Sequence, residues 1–493
     1  MNVKKSYLAA LIIVSIVLGS VLTYVGVEVI GIGQTEQADG GSQQSNAGTD
    51  GEKQELIEEF SDMNAFSKVM RAYSVIENNY VEDVKQKTLV EGAVQGMLDS
   101  LGDPHSVYMD KETVEQFNHS IESSFEGIGA EVSMRDGHVT IVSPIKGSPA
   151  EDAGLQPKDQ ILEVDGESLD GFDLNEAVAK IRGEKGTEVE LTIQRPGVSD
   201  AISVNVVRDD IPVETVYPEV KNQNGKKTGV IQITSFSQKT AEEFNQALSD
   251  LEDKGIEGLV IDVRGNPGGL FTSVETILEN FIPEDQPYVI FEKKNGEKQR
   301  YYSGTKEKKN YPITVLTNKG SASASEILAA AMLEAGYPVV GEKSYGKGTV
   351  QKTLDMGDGS QIKITTYKWL TPDGTWINEK GIEPTVKVQQ PEFFYTTPVE
   401  VENPLTLDMN NENVANIQTM LKGIGYDPGR TDGYFSEQTA QAVEAFQKDH
   451  DLEVTGKVNQ ETGEQIQAQV VEAVSAEEND RQLNKALEVL YEQ

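Results

Sequence analysis

A chain of 493 residues has room for roughly three domains plus accessory segments. Its formal net charge of −38 argues against nucleic acid as a partner and against broad adhesion to anionic lipid surfaces. The absence of cysteine excludes disulfides, thiolate metal sites and a lipidated N-terminal cysteine.

Lys4 and Lys5 precede an uncharged, largely apolar run over 6–27, long enough to cross a bilayer as one helix, which takes about 20 residues. Lysines on the short flank predict a cytoplasmic N-terminus with everything after Glu28 outside. We read 1–33 as an uncleaved signal anchor in a single-pass membrane protein; the alternative is cleavage near 31–33 and secretion. The Gly-, Ser- and Gln-rich stretch 34–54 cannot bury a core and reads as a flexible tether. Over 55–117, Phe66, Val69, Met70, Tyr73, Ile76 and Tyr80 form one helical apolar stripe. Leu89, Ala93, Met97 and Leu101 form a second, stopped by Gly102-Asp103-Pro104. These stripes need a partner surface, either the following domains or a second copy of the chain in a homodimer.

From 118 to 210 the pattern changes to short alternating strands (139–142, 160–164, 189–194) around one amphipathic helix at 174–181. From 211 to 390 strands alternate with helices, an α/β layout. The apolar run 259–263 ends at Arg264-Gly265-Asn266-Pro267-Gly268-Gly269, and the run 313–316 leads to Ser321-Ala322-Ser323-Ala324-Ser325-Glu326. A Pro/Glu-rich linker is expected over 391–403, a small all-α domain over 404–471 and a solvated, charged helical tail over 472–493. The fold class is therefore multidomain α/β: a transmembrane helix, a helical region, a β-rich domain, an α/β core and a small helical domain.

A small serine at a strand-to-helix turn is where a nucleophile is exposed beside backbone N–H groups able to hold an oxyanion. Ser323 occupies such a place, and Lys347 stands between Gly346 and Gly348. There is no thiol, and His105, His119, His138 and His450 lie far from the serines in sequence. A Ser–Lys pair is the economical arrangement. Taken alone, the serine run reads equally well as a small-residue helix start. A lysine serves as base near neutral pH only when burial lowers its pKa. The N–H of Ala324 is placed to meet an oxyanion, with Gly268 or Gly269 as the second donor, since glycine lets backbone approach a scissile carbonyl. Asp262 and Arg264 read as braces for that loop.

Three ordered sets of motifs carry a family resemblance over almost the whole chain beyond the tether. Gly127-Ile128-Gly129-Ala130, Gly147-Ser148-Pro149-Ala150 and Asp159-Gln160-Ile161-Leu162 resemble a PDZ domain of bacterial proteases. Such a loop offers N–H groups to a terminal carboxylate, and a strand edge pairs with an extended peptide. The run 92–106, the 262–269 loop, the serine run and Gly346-Lys347-Gly348-Thr349-Val350-Gln351 resemble the carboxy-terminal processing, or tail-specific, proteases. That resemblance implies Ser323 as nucleophile, Lys347 as general base and Gln351 as the group orienting the lysine. Ile417-Gln418, Gly425-Tyr426, Asp432-Gly433 and Phe446-Gln447 resemble a small peptidoglycan-binding domain. The implied protein is a membrane-anchored extracytoplasmic serine endopeptidase that captures apolar C-terminal tails of protein substrates and needs no cofactor or metal. The competing reading is an inactive, wall-tethered PDZ scaffold.

Overall fold

The computed structural model describes residues 66–492 apart from 136 and 402, so the expected anchor and tether lie outside the described residues. Among the described residues no helix is long and apolar enough to cross a membrane. The described residues fall into two units that divide between Leu89 and Val90. In the first, helix α1 spans 66–79, and Phe66, Met70 and Ile76 on its expected stripe are exposed. Helix α2 (Gln86–Asp99) follows.

In the second unit, strand β1 (Val107–Met109) and helix α3 (Lys111–Ile121) lead into the β-rich domain. Its strands are β2 (Ser124–Gly127), β3 (Ala130–Arg135), β4 (His138–Pro144), β5 (Gln160–Val164), β6 (Glu167–Ser168), β7 (Glu188–Gln194), β8 (Ile202–Val207) and β9 (Asp209–Pro212). Ser148 and Asp173 cap α4 (Pro149–Asp152) and α5 (Leu174–Ile181), accepting from the N–H three residues on. The sheet order β3-β4-β5-β7-β8 leaves β3 at an edge. β2 pairs with β9, so the entry and exit of this domain are tied together.

The α/β core is built on β10 (Val216–Gln223), β11 (Lys226–Ile233), β12 (Gly258–Asp262), β15 (Ile313–Thr317), β16 (Val339–Gly341) and β19 (Val386–Lys387), adjacent in that order. All neighbours from β11 onward are parallel. Side chains alternate across a strand, and the central strands β12 and β15 are buried at every position, so both faces of the sheet need cover. Ile231, Ile261 and Val315 face one core with helices α6 (Thr240–Asp253), α7 (Phe271–Leu278) and α8 (Ala324–Glu334). Val230, Val260 and Leu316 face the other way and need their own cover. A second, antiparallel sheet joins β1, β13 (Pro287–Glu292), β14 (Lys298–Tyr302), β17 (Thr349–Asp355) and β18 (Gln361–Leu370).

Helices α9 (Glu412–Gly423), α10 (Glu437–Asp449) and α11 (Gln460–Ser475) enclose the small domain's core around Ile417, Phe435, Val443 and Phe446. Two buried glutamines brace its turns. Gln418 accepts from the Gly433 N–H and donates to the Tyr434 carbonyl, and Gln447 accepts from Thr455 and Gly456 and donates to the Lys457 carbonyl. The stretch expected as a linker is packed: Phe393 and Val399 belong to this core. The tail expected to be solvated is packed as well. Its helix α12 (Arg481–Leu490) lays Leu483, Ala486, Leu487 and Leu490 on Val230, Val260, Leu316 and Val340, and supplies the missing cover. The helix is amphipathic, so its charges lie on one face and its leucines on the other.

Candidate active site

In open parallel sheets ligand sites form beyond the carboxyl ends of the strands. Here the loop 264–269 follows β12 and the serine run follows β15, on neighbouring strands. Ser323 immediately precedes α8 and holds φ at +53°, ψ at −111°, a conformation rare for a residue with a side chain. Of the three serines, Ser321 donates its hydroxyl to the Val263 carbonyl and Ser325 to the Asn266 carbonyl, both buried. The Ser323 side chain instead lines a cavity of about 490 Å³ with Lys347, Val350, Gln351 and Trp369.

Glu326 is the residue that sequence reasoning passed over. It is fully buried in the first turn of α8. One carboxylate oxygen accepts from the Ser323 N–H (2.9 Å) and the Lys347 N–H (2.8 Å). The other accepts from the Gly346 N–H (2.7 Å) and the Ser344 hydroxyl (2.6 Å). One anion thus fixes the backbones of both candidate catalytic residues. Its signal was present as Ser-x-x-Glu, the spacing of a helix N-terminal capping pair.

The opposite side of Lys347 is held by Trp369, whose indole N–H donates to the Lys347 carbonyl at 2.7 Å. Gly348 has no room for a side chain: a Cβ there would lie 2.6 Å from the Asn378 nitrogen. Burial pushes the Lys347 ammonium pKa down, Lys363 adds to the effect, and Asp103 and Glu326 oppose it; the net shift is downward. His105 is brought near this lysine by the loop 102–106, which is pinned where the Ser106 hydroxyl accepts from the Thr365 N–H. Its pKa is lowered by burial first and by Lys347 next.

Gln351 lines the same cavity, but its amide donates to the hydroxyls of Thr349 (2.9 Å) and Thr365 (3.0 Å). Among the described residues no hydrogen bond joins Gln351 to Lys347, or Lys347 to the Ser323 hydroxyl. The two glycines also differ. The Gly268 N–H is committed to the Asn266 side chain at 2.8 Å, whereas Gly269 and Ala324 N–H groups find no acceptor among the described residues. A Cβ on Gly268 would sit 2.8 Å from that of Ser323, so only glycine lets the loop lie against this serine.

In the β-rich domain, the Ile128 carbonyl accepts from the Ala150 N–H, and the Gly129 carbonyl from the Ile145 N–H and the Ser148 hydroxyl. Gly127 pairs with Asp209, and Ala130 begins the edge strand β3. No group of acidic or histidine side chains able to hold a metal occurs among the described residues.

Comparison with known proteins finds relatives for each of these segments. Family models match for peptidase family S41 over 227–388, the activating protease CtpB N-terminal domain over 16–113, a PDZ domain over 140–195 and a peptidoglycan-binding domain over 410–466. The chain is 43% identical to carboxy-terminal processing protease CtpA of Bacillus subtilis, across 86% of this chain and 90% of that one. A solved photosystem II D1 C-terminal processing protease aligns with 26% identity and a TM-score of 0.40, over 65% of this chain and 92% of its own. Carboxy-terminal processing protease CtpB of Bacillus subtilis is 54% identical over 428 residues, 87% of this chain and 89% of that protein. At that identity over most of both chains, the chain belongs to the carboxy-terminal processing serine proteases of peptidase family S41.

Proposed function

We propose that the chain cleaves protein substrates with a Ser323–Lys347 dyad after its PDZ domain has taken hold of a substrate C-terminus. The observation that carries this reading is the shared cavity: a strained serine at a helix N-terminus and a lysine of lowered pKa line it together. Neutral Lys347 takes the Ser323 hydroxyl proton as Oγ attacks the scissile carbonyl. The oxyanion is held by the N–H groups of Ala324 and Gly269. The protonated lysine then donates to the leaving amine, and water, deprotonated by the same lysine, releases the acyl group from Ser323. Gln351 positions the lysine through a contact formed when substrate brings the β17 segment into its working register. That segment already carries a bulge at Val350/Gln351.

Apolar tail capture rests on the loop 127–130 and the free edge of β3, along which an extended peptide adds as a strand. Helix α3, which leads into the PDZ domain, places Phe117 and Ile121 in the catalytic cavity and offers a route by which tail binding alters the site. The 6–27 run anchors the chain with its catalytic domains outside the cytoplasm, the terminal helical domain binds peptidoglycan, and the exposed α1 stripe pairs two copies.

The test is cleavage of an unfolded protein by the full chain, with Ser323→Ala and Lys347→Ala alongside, with and without a short apolar peptide bearing a free C-terminal carboxylate. Loss in both variants and stimulation of the wild type by the peptide are the expected results. Full activity in Ser323→Ala would remove the nucleophile assignment, and an inert wild type would favour a tethered scaffold.

A further inference from the structure

The tail that follows the helical domain does more than cover a sheet. Arg264 lies at the root of the loop that ends in Gly268 and Gly269, and its guanidinium is saturated. Its Nε donates to both Asp262 oxygens, at 2.9 and 3.0 Å, and Nη2 donates to Asp262 at 2.6 Å. The remaining donors go to the tail: Nη1 and Nη2 each reach an oxygen of Asp480 at 2.8 Å, and Nη1 also reaches Gln482 at 3.2 Å. This is a two-pronged arginine–carboxylate pair, the geometry that fixes orientation as well as distance.

Side-chain exposure is 15% for Arg264 and 18% for Asp480, so the pair is shielded from solvent. Burial opposes ionisation of Asp480, and the hydrogen bonds and charge of Arg264 prevail, holding its carboxyl below the usual range. Asp480 is itself fastened. It caps α12 by accepting from the Leu483 N–H, and Gln390 donates to it at 2.6 Å. From Arg264 the loop passes to Gly265, whose N–H is held by Asn318, and then to Asn266, whose carbonyl accepts from the Ala322 N–H. It ends where Phe236 pairs with Gly269.

We infer that Asp480 is a positioning residue for catalysis: through Arg264 it sets the loop that presents the Gly269 N–H to the oxyanion. The C-terminal tail is thereby a working part of the protease site, although it lies beyond the helical domain in sequence. This rests on the dyad and oxyanion assignment above. Asp262 alone satisfies one edge of the guanidinium; without Asp480 the other edge is left with unpaired donors in a shielded place, and Arg264 turns to find water.

The experiment compares the full chain carrying Asp480→Asn with Tyr491→Phe, which removes a tail bond to Thr228 far from Arg264. Asp480→Asn is expected to lower kcat about tenfold with KM within twofold, and Tyr491→Phe to leave both near wild type. A peptide aldehyde, which forms a tetrahedral oxyanion adduct on a serine, loses about tenfold in affinity for Asp480→Asn, while the matched peptide alcohol binds unchanged. Should Asp480→Asn fail to fold, Asp480→Glu, which keeps the charge and displaces the carboxylate, is read by the same kcat-against-KM split. Equal kcat in Asp480→Asn and Tyr491→Phe, or aldehyde affinity unchanged, overturns the inference. Ser323→Ala is measured in parallel: cleavage abolished there but undiminished in Asp480→Asn defeats this inference alone, and cleavage retained in Ser323→Ala defeats the assignment beneath it.

Discussion

The carboxylate of Glu326 accepts the backbone N–H of Lys347 at 2.8 Å, with the Ser323 N–H on the same oxygen. A buried anion that receives four donors has no water to replace any of them. In Glu326→Gln one oxygen becomes an amide NH2 that faces donors, so two bonds are lost and N–H groups oppose each other. The expected cost is about 2–4 kcal/mol in stability. Misplacement of the Ser323 and Lys347 backbones, the proposed dyad, should lower kcat by about a hundredfold. Thermal melting together with kcat and KM checks this; a kcat within threefold of wild type would show that Glu326 only supports the fold.

A lysine acts as a base only when neutral, and burial followed by the nearby Lys363 lowers the pKa of Lys347, the proposed base. kcat/KM should therefore rise with pH as the ammonium loses its proton and then level off. Lys363→Met removes a like charge, which lets the Lys347 pKa climb back toward about 10.4, the ordinary lysine value. The rising limb of the pH profile is expected to move to higher pH in that variant, with the plateau reached later. A profile that stays in place would mean that Lys363 does not act on the base.

Gly268 and Gly269 hold φ of +103° and +142°, and each is pressed against backbone. A methyl on Gly269 would lie 2.2 Å from the Phe236 carbonyl, and one on Gly268 would meet the Ala322 carbonyl and the Ser323 side chain. Both alanine variants combine an unfavourable backbone conformation with a clash that no rotamer relieves. We expect each to lose at least about a hundredfold in kcat, since the loop must withdraw from the oxyanion position. Binding of a tail peptide to the PDZ domain, measured on the same preparations, should be unaffected.

What could be read in advance follows from where each signal is stored. Lys347 and the 264–269 loop stand in short glycine-rich motifs and Ser323 in a short run of small residues, and the conformations those segments adopt are local. Glu326 was visible as a letter, but its role depends on Lys347 returning beside α8 from a loop twenty-one residues later, a tertiary fact. The link of Asp480 to Arg264 spans 216 positions and has no local pattern at all. The α12 helix follows the same rule. Its charged face is explicit in sequence, whereas the need for its apolar face lies in the uncovered face of a sheet formed much earlier in the chain. Gln351 shows the reverse case: its motif place is clear, yet its amide is engaged with Thr349 and Thr365.

Docking of α12 is open to a direct energetic test that does not depend on catalysis. Leu490 is fully buried against β12, and a Cβ added at Gly258 would come within 2.7 Å of its Cδ2 and 2.8 Å of the Tyr491 hydroxyl. Leu490→Ala should cost about 2–5 kcal/mol, the usual range for a buried leucine. Gly258→Ala should cost about 1–3 kcal/mol by overpacking the same spot. Combined, the new methyl partly fills the space left by the leucine, so the double variant should be less destabilised than the two costs predict together, by about 0.5–3 kcal/mol. Denaturant melts of the four proteins give that coupling. Simple additivity would mean that the tail leaves the sheet in solution, and the helix would then have no hold on Arg264 either.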